Sequence, residues 1–385
     1  MVNSIEIKNF KSIKKKYFPL RNLNILLGLN GMGKSSFIQT LLVLRQSYDL
    51  RRGYKLEINN GSYVKLGSTK DVLYQYSKNE NLSLNLEFRD KQTLNLEFDY
   101  EIEADYFILK SYDSKERQDS FSAITRTESL FNDNFQYLNA NRKEPTAIMQ
   151  KSYSSVINRK DLGNQGEYTA HYLEVYNNDE VFFENLLHKH SWIKDPVTGK
   201  TIVNKTLINQ VNLWMGEISP NINIRTTSIS SDFVLLEYTF KQPNFGNTNR
   251  YKPENVGFGI SYSLPVVVAL LKAKAGDLII IENPESHIHP RGQAELGKLI
   301  ALTAQNDVQV IIETHSDHIL NGIRVAVKED NIDRNKVIAF YFKKLVTETE
   351  QYSKITEIKI DKNGTLSEYP EHLLDEWSNQ LSKLI

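Results

Sequence analysis

The stretch Gly28-Leu29-Asn30-Gly31-Met32-Gly33-Lys34-Ser35-Ser36 constrains this chain more than any other. It fills every fixed position of the phosphate-binding loop pattern G-x-x-x-x-G-K-[ST]. Each fixed residue answers a physical demand. Glycines let the backbone curl until several N–H groups point inward at one polyphosphate. Lys34 adds a mobile positive charge for the β- and γ-phosphates, and the Ser35 hydroxyl suits Mg²⁺. A helix starting here aims its positive end at the same anion. The flanks supply the context the pattern needs. Residues 23–27 form a short apolar run that reads as a buried strand, and Phe37, Ile38, Leu41 and Leu42 recur at helical spacing. Asn30, Gly31, Gly33, Lys34, Ser35 and Ser36 are therefore the expected phosphate contacts. The alternative is a glycine-rich turn that matches by chance, and the order strand, loop, helix argues against it.

A chain of 385 residues suggests two or three domains with ample core. Lys plus Arg and Asp plus Glu both total 47, so the net charge is zero. A neutral chain does not coat nucleic acid by bulk electrostatics, while a local basic patch stays open. The absence of cysteine excludes disulfides, thiol nucleophiles and cysteine metal sites. No apolar run has the length of a membrane span, and the N-terminus lacks the apolar core of a signal peptide. The expectation is a soluble, cytoplasmic protein with no membrane partner.

Residues 4–10 alternate apolar and polar and predict a half-buried first strand. Lys11, Lys14, Lys15 and Lys16 follow, and a solvated turn is favoured there over a nucleic-acid patch. The alternation over 82–88 and 94–102, around Arg89-Asp90-Lys91, predicts a hairpin that 106–109 extends as a meander. Such strands form an antiparallel layer apart from any parallel core. From 111 to 220 the chain turns polar, with scattered aromatics and the punctuation Gly163-Asn164-Gln165-Gly166-Glu167. Residues 205–216 read as a helix, and no sustained heptad repeat marks a coiled coil. The expectation is an inserted, mostly helical lobe. Strands return at 222–228 and 233–240. The apolar runs 278–281 and 308–312 suit central strands of a parallel sheet buried on both faces. A helix over 291–303 separates them. Strands at 337–342 and 355–360 and a helix from about 371 close the chain. The resulting division is 1–110, 111–220 and 221–385.

Further candidate chemistry sits in the last third. In phosphate-loop ATPases a second strand ends in an acid that holds Mg²⁺, with a catalytic carboxylate beside it. In Ile281-Glu282-Asn283-Pro284-Glu285, a charge after four aliphatics wants a partner, and Glu282 takes the place of the Mg²⁺-linked acid. Asn283 stands where the base that polarises water is expected. An amide orients water but cannot accept its proton. Either Glu285 or Glu313 substitutes, or hydrolysis is slow. The next strand runs into Glu313-Thr314-His315-Ser316-Asp317-His318, which places His315 to reach a γ-phosphate. His287 and His289, with Glu285, suggest zinc, but no further ligand cluster supports it, and a loop packed at a subunit contact is preferred. Gly257, Gly259 and Ser261 open an apolar helix and offer a second anion site, suited to a γ-phosphate held by another subunit.

With these residues in view, the chain resembles the ABC-type ATPase heads of the recombination and structural-maintenance group. Within that group it is similar to bacterial AAA family ATPases related to the overcoming-lysogenization-defect (OLD) ATPases and to the ATPase component of Septu-type defence systems. The opening Ile5-Glu6-Ile7-Lys8-Asn9-Phe10-Lys11-Ser12 resembles that family's start, which makes Lys11 and Ser12 implied nucleotide contacts. Gly257-Phe258-Gly259-Ile260-Ser261 resembles the signature loop, 282–290 the acidic strand end with its loop, and 313–318 the switch-histidine motif. Residues 137–145 and 163–167 resemble the insert. There are departures. ABC heads carry Asp-Glu where this chain has Glu282-Asn283, the glutamine loop is assigned only to Gln75 as a guess, and the nuclease domain that follows in OLD proteins has no room within 385 residues.

The resemblance implies an α/β P-loop NTPase, an ABC-ATPase head with an antiparallel β subdomain and a mostly helical insert. It implies ATP and Mg²⁺ as cofactors, Ser35 and Glu282 on the metal, and Lys34, Glu282, Asn283, Glu285 and His315 as the catalytic set. It implies a homodimer in which the phosphate loop of one copy faces the signature loop of the other. ATP binding closes the pair and hydrolysis opens it. The implied output is control of a separate effector, a nuclease or toxin, in anti-phage defence, with DNA as a candidate trigger. Two rivals stand beside this. One is a repair or recombination ATPase acting directly on DNA through a basic groove. The other is an ATP-locked scaffold that turns over rarely because Asn283 replaces a base.

Overall fold

Strict alternation makes half-buried strands. Asn81–Phe88 and Thr93–Asp99 each bury every second side chain, and Leu84 lies opposite both Ile7 and Leu96. The computed structural model in which this is seen describes all residues except 48–54, 79–80, 111–122, 195–197, 243, 245 and 385. By contacts the chain forms two units. The first comprises Met1–Phe135, Val337–Lys359 and Leu366–Ile385, and the second Gln136–Lys336 and Ile360–Thr365.

In the first unit six antiparallel strands run in the order Ile13–Pro19, Val2–Phe10, Asn81–Phe88, Thr93–Asp99, Tyr106–Leu109, Lys55–Glu57. Leu23–Leu27 is buried at every position, which suits a strand covered on both faces. It runs parallel to Val337–Val346, and that strand pairs antiparallel with Gln351–Ile358. Phe18 packs its ring 4.6 Å from Phe37 and 5.3 Å from Phe340. Those three rings bind the antiparallel sheet, the helix Lys34–Gln46 and the strand Val337–Val346 into one core.

In the second unit Leu278–Glu282 and Gln309–Glu313 pair in parallel, with Glu282 level with Glu313. The helix Phe258–Leu271 is buried at every position from Ser263 to Leu271. The helices Pro290–Gln305 and Asp317–Lys328 approach each other backbone to backbone. A Cβ at Gly297 would lie 2.4 Å from the Ile319 carbonyl oxygen, and one at Gly322 2.1 Å from that of Ala294. Ile222–Ser228 and Phe233–Gln242 form an antiparallel pair that Ile148–Gln150 extends.

The structure departs from the sequence expectations in three places. Residues 111–122 of the expected insert lie outside the described residues, and the remainder is not mostly helical. It holds the helices Thr169–Tyr176 and Leu207–Ile218, a π-helical turn Tyr153–Asn158, and short strands including Trp192–Lys194 and Thr201–Val203. Nor does the division fall at 110 and 220, because 136–220 shares a unit with 221–336. The helix Leu207–Ile218 buries Val211, Trp214 and Met215, and the Met215 sulfur accepts from Ser263 in Phe258–Leu271. The last helix begins at Glu376 rather than 371, because His372 and Leu374 hold positive φ, which a right-handed helix cannot contain. No helix among the described residues is long and apolar enough to cross a membrane.

Candidate functional site

The phosphate loop belongs to the first unit. Gly28, Gly31 and Gly33 hold φ of 129°, 75° and 106°, and these carry the curl between the strand Leu23–Leu27 and the helix Lys34–Gln46. A Cβ on Gly33 would meet Ser353 Oγ at 2.3 Å and Ser12 Oγ at 2.5 Å. Lys34 is 2 % exposed, and its Nζ donates to the carbonyls of Gly28 at 2.8 Å and Leu29 at 2.9 Å. The ammonium is thus folded back onto its own loop, on neutral oxygens that phosphate oxygens can replace with a stronger, charge-assisted bond. Asn30, Gly31 and Ser35 are exposed, while Ser36 is buried with its Oγ 3.5 Å from Ser12 Oγ. Ser36 therefore faces the support of the loop, one helical step round from Ser35.

That support comes from two distant segments. Ser353 Oγ donates to the Met32 carbonyl at 2.6 Å and lies 2.8 Å from Ser12 Oγ, and Ser353 N donates to the Ser12 carbonyl at 2.8 Å. Lys11 Nζ donates to Gln39 Oε1 at 2.9 Å. Burial pushes the Lys11 ammonium below its ordinary pKa, with Asp71 opposing. Lys11, Ser12 and Gly31 line a cleft of about 750 Å³, together with Tyr74, Lys344 and Tyr352. Gln75 lies on the same cleft.

The acidic strand end belongs to the second unit. Glu282 Oε1 accepts from the Tyr137 hydroxyl at 3.0 Å and Oε2 from the Ala140 N–H at 3.2 Å. Its main-chain carbonyl accepts from Arg142 Nη2 at 2.8 Å. Burial pushes the Glu282 carboxyl up, and Tyr137, Ala140 and Arg142 pull against that. Burial and the neighbouring Glu282 push the Tyr137 hydroxyl well above the usual tyrosine range. Arg142, 2 % exposed, is pulled down to about 10 by burial against the attraction of Glu282 and Glu285, so it stays charged at neutral pH.

Asn283 sits at φ 45°, a left-handed conformation that asparagine tolerates better than most residues. Its N–H donates to the Glu313 carbonyl at 2.8 Å, and its Oδ1 is buried without a hydrogen-bond partner among the described residues. Glu285 spends one oxygen on Thr314 Oγ1 and the other on the His315 N–H, both at 2.8 Å. Its carboxylate is thereby committed to the switch segment. Glu313 is buried, and the His315 side chain is exposed.

The zinc alternative loses its ligands to other work. Glu285 is engaged as above, His289 caps the helix Pro290–Gln305 through Nδ1, and the His287 ring lies 5.0 Å from that of Tyr262. No group of three or more His, Cys, Asp or Glu able to hold a metal occurs among the described residues. At the signature loop Gly257 and Phe258 are exposed, and Gly259 packs on the 287 loop, where a Cβ would lie 2.3 Å from the His287 carbonyl oxygen. Ser261 Oγ is buried and lines a small pocket with Tyr238. The groups presented at this helix start are therefore Gly257 and Phe258, not the Ser261 hydroxyl. Sequence reasoning missed Ser353 altogether, and it took in Thr314 within 313–318, and Tyr137 and Arg142 within 137–145, without giving any of them a role.

A family model described as an AAA ATPase domain matches residues 1–320, and one described as a protein of unknown function (DUF3696) matches 332–384. The chain is 24% identical over 351 residues to Endonuclease GajA of Bacillus cereus (strain VD045), which takes in 83% of this chain and 56% of that protein. It thus spans little more than half the length of that relative. Among solved structures it resembles an SMC head bound to the C-winged helix domain of ScpA, with TM-score 0.51, 11% identity, and coverage of 94% of this chain and 98% of that one. It also resembles an Smc head domain with an extended coiled coil bound to the C-terminal domain of ScpA from Pyrococcus furiosus, with TM-score 0.50, 13% identity, and coverage of 100% and 99%. At such identities the likeness is one of fold, an ABC-type α/β ATPase head.

Proposed function

Given that this chain belongs to the family of AAA ATPase domains and is an ATPase, we propose that it works as an ABC-type head whose nucleotide is shared by two copies. The observation that carries the reading is the phosphate loop itself: three left-handed glycines, an exposed Ser35, and a Lys34 ammonium resting on two carbonyls of its own loop. On this reading Lys34 exchanges those carbonyls for the β- and γ-phosphates. Lys11 and Ser12 meet the nucleotide from the cleft, and Tyr74 and Tyr352 flank the space left for the nucleoside. Ser35 would offer its hydroxyl and Glu282 its carboxylate to Mg²⁺. Bound Mg²⁺ supplies neutralisation of the charge that develops on the phosphates. His315, whose side chain is exposed and whose N–H is anchored on Glu285, would be the group that reaches the γ-phosphate. The exposed helix start at Gly257 and Phe258 would offer its N–H groups to the nucleotide of the second copy.

The output we propose is control of a separate effector, a nuclease or toxin, in anti-phage defence in the cytoplasm. The similarity to OLD and Septu-type ATPases supports the setting, and the name of the Bacillus cereus relative, an endonuclease, supports a nuclease as the effector class. A second reading, an ATP-locked scaffold, is favoured by Asn283. The amide takes no proton, and Glu285 is occupied by Thr314 and His315. Both readings expect slow turnover by the isolated chain. They part when an effector or DNA is added, since only the regulated enzyme then accelerates.

Calorimetric titration with ATP and Mg²⁺ tests binding, and Lys34→Ala should abolish it. Light scattering tests pairing. ATP should double the mass of the wild type but not of Gly257→Arg, a change for which no atom stands within 4 Å. Pairing by that variant as by the wild type would overturn the shared-nucleotide reading.

A further inference from the structure

The segment 137–142 makes a three-point bracket on Glu282. One carboxylate oxygen is held by the Tyr137 hydroxyl, the other by the Ala140 N–H, and the main-chain carbonyl by Arg142 Nη2. Arg142 Nη1 also donates to the Asn139 carbonyl at 3.0 Å, so one guanidinium ties the bracket's own turn to the strand end it serves. A glutamate that ends a buried strand has three side-chain torsions to fix. Two donors on its two oxygens fix them all. Each carboxylate oxygen can accept more than one bond, so the bracket leaves capacity on both for a further partner. Tyr137 is 5 % exposed, and its hydroxyl donates to Glu282.

We propose that Tyr137 is a positioning residue that sets the Glu282 carboxylate for the metal of a metal–nucleotide complex, with Arg142 locking the segment that carries it. The proposal rests on the reading of Glu282 as the metal-linked acid. Outer partners that orient a ligating carboxylate are worth about 10–100-fold in metal affinity. A Tyr137→Phe change keeps the ring and removes only the donor.

The test measures Mn²⁺ binding to the protein–ATP complex by electron paramagnetic resonance, and ATP binding without metal by calorimetry. Tyr137→Phe should leave metal-free ATP affinity at the wild-type value and weaken Mn²⁺ binding about tenfold. Glu282→Gln should weaken Mn²⁺ binding as well, and adding Tyr137→Phe to it should cost nothing more. An equal tenfold loss on both backgrounds would show that Tyr137 acts without Glu282. That would overturn the proposal while leaving the acid's role intact. Wild-type Mn²⁺ affinity in Tyr137→Phe would overturn it too. Wild-type affinity in Glu282→Gln would instead bring down the reading on which the proposal stands. If Tyr137→Phe does not fold, Arg142→Lys, which keeps the charge but not the fork, takes its place, and unchanged Mn²⁺ affinity there refutes the bracket.

Discussion

Replacing Gly28 by alanine should destabilise the protein by about 3 kcal/mol, whereas Gly31→Ala should cost about 1 kcal/mol. Both glycines hold positive φ, so both substitutions strain the backbone, by about 1–2 kcal/mol for an ordinary left-handed residue. The surroundings separate them. At Gly31 a new Cβ meets nothing within 4 Å. At Gly28 it meets the Phe342 carbonyl oxygen at 2.3 Å, where even a tight contact needs more than 3.0 Å. Phe342 cannot retreat freely. It is paired with Ile355 on one side, and the strand on its other side is held to Leu27 through Tyr341. Overpacking of that kind adds about 1–3 kcal/mol. Urea unfolding of the two variants and the wild type, followed by far-UV circular dichroism, reads the difference as a shift in midpoint. Equal midpoints for the two variants would refute the close approach of the loop to that strand. A lower midpoint for Gly31→Ala than for Gly28→Ala would refute the whole account of the loop.

Other outcomes follow from the same geometry. Lys34→Ala should fold with wild-type stability or slightly less and lose ATP binding in calorimetric titration. Ser353→Ala removes the donor on the Met32 carbonyl and should weaken ATP binding by several-fold without touching any phosphate contact, measured by the same titration. Glu285→Gln replaces one of the two acceptor oxygens with an amide NH2, which then faces the Thr314 hydroxyl or the His315 N–H donor to donor, so single-turnover hydrolysis should fall about tenfold with ATP affinity unchanged. His171 accepts the Ser152 N–H on Nδ1 at 3.1 Å, and burial holds its pKa below the ordinary 6.5. The unfolded chain therefore binds this proton first, and stability should be lost as pH falls below that value. A His171→Gln variant should show a shallower loss when unfolding free energy is followed by urea titration through that range.

What the sequence revealed were features with a local signature. The phosphate loop needs glycines at fixed spacing, and the runs 278–281 and 308–312 were legible because strands covered on both faces are apolar throughout. The level placement of Glu282 and Glu313 follows from two such strands running in parallel. Ser353 has no such signature. It is one serine on an amphipathic edge strand, and its use depends on a strand pairing that no neighbouring residue reports. Tyr137 is similar, a tyrosine in a four-residue strand whose partner lies far along the chain. That the Ser36 and Ser261 hydroxyls are buried could not be read from the chain, because a pattern fixes position but not which side of the first helical turn faces outward.

The glycine pair at 297 and 322 bears on how the second unit can respond to a ligand. Of the two helices that meet there, one starts from His289 at the end of the acidic loop and the other from Ser316, next to His315. Where main chain touches main chain there are no side chains to re-rotamer and absorb a shift. A shift of the segment beginning at Ser316 would therefore be expected to move the start of the helix at His289 with it. Two segments that read as separate motifs in the sequence are thus joined through one close helix crossing.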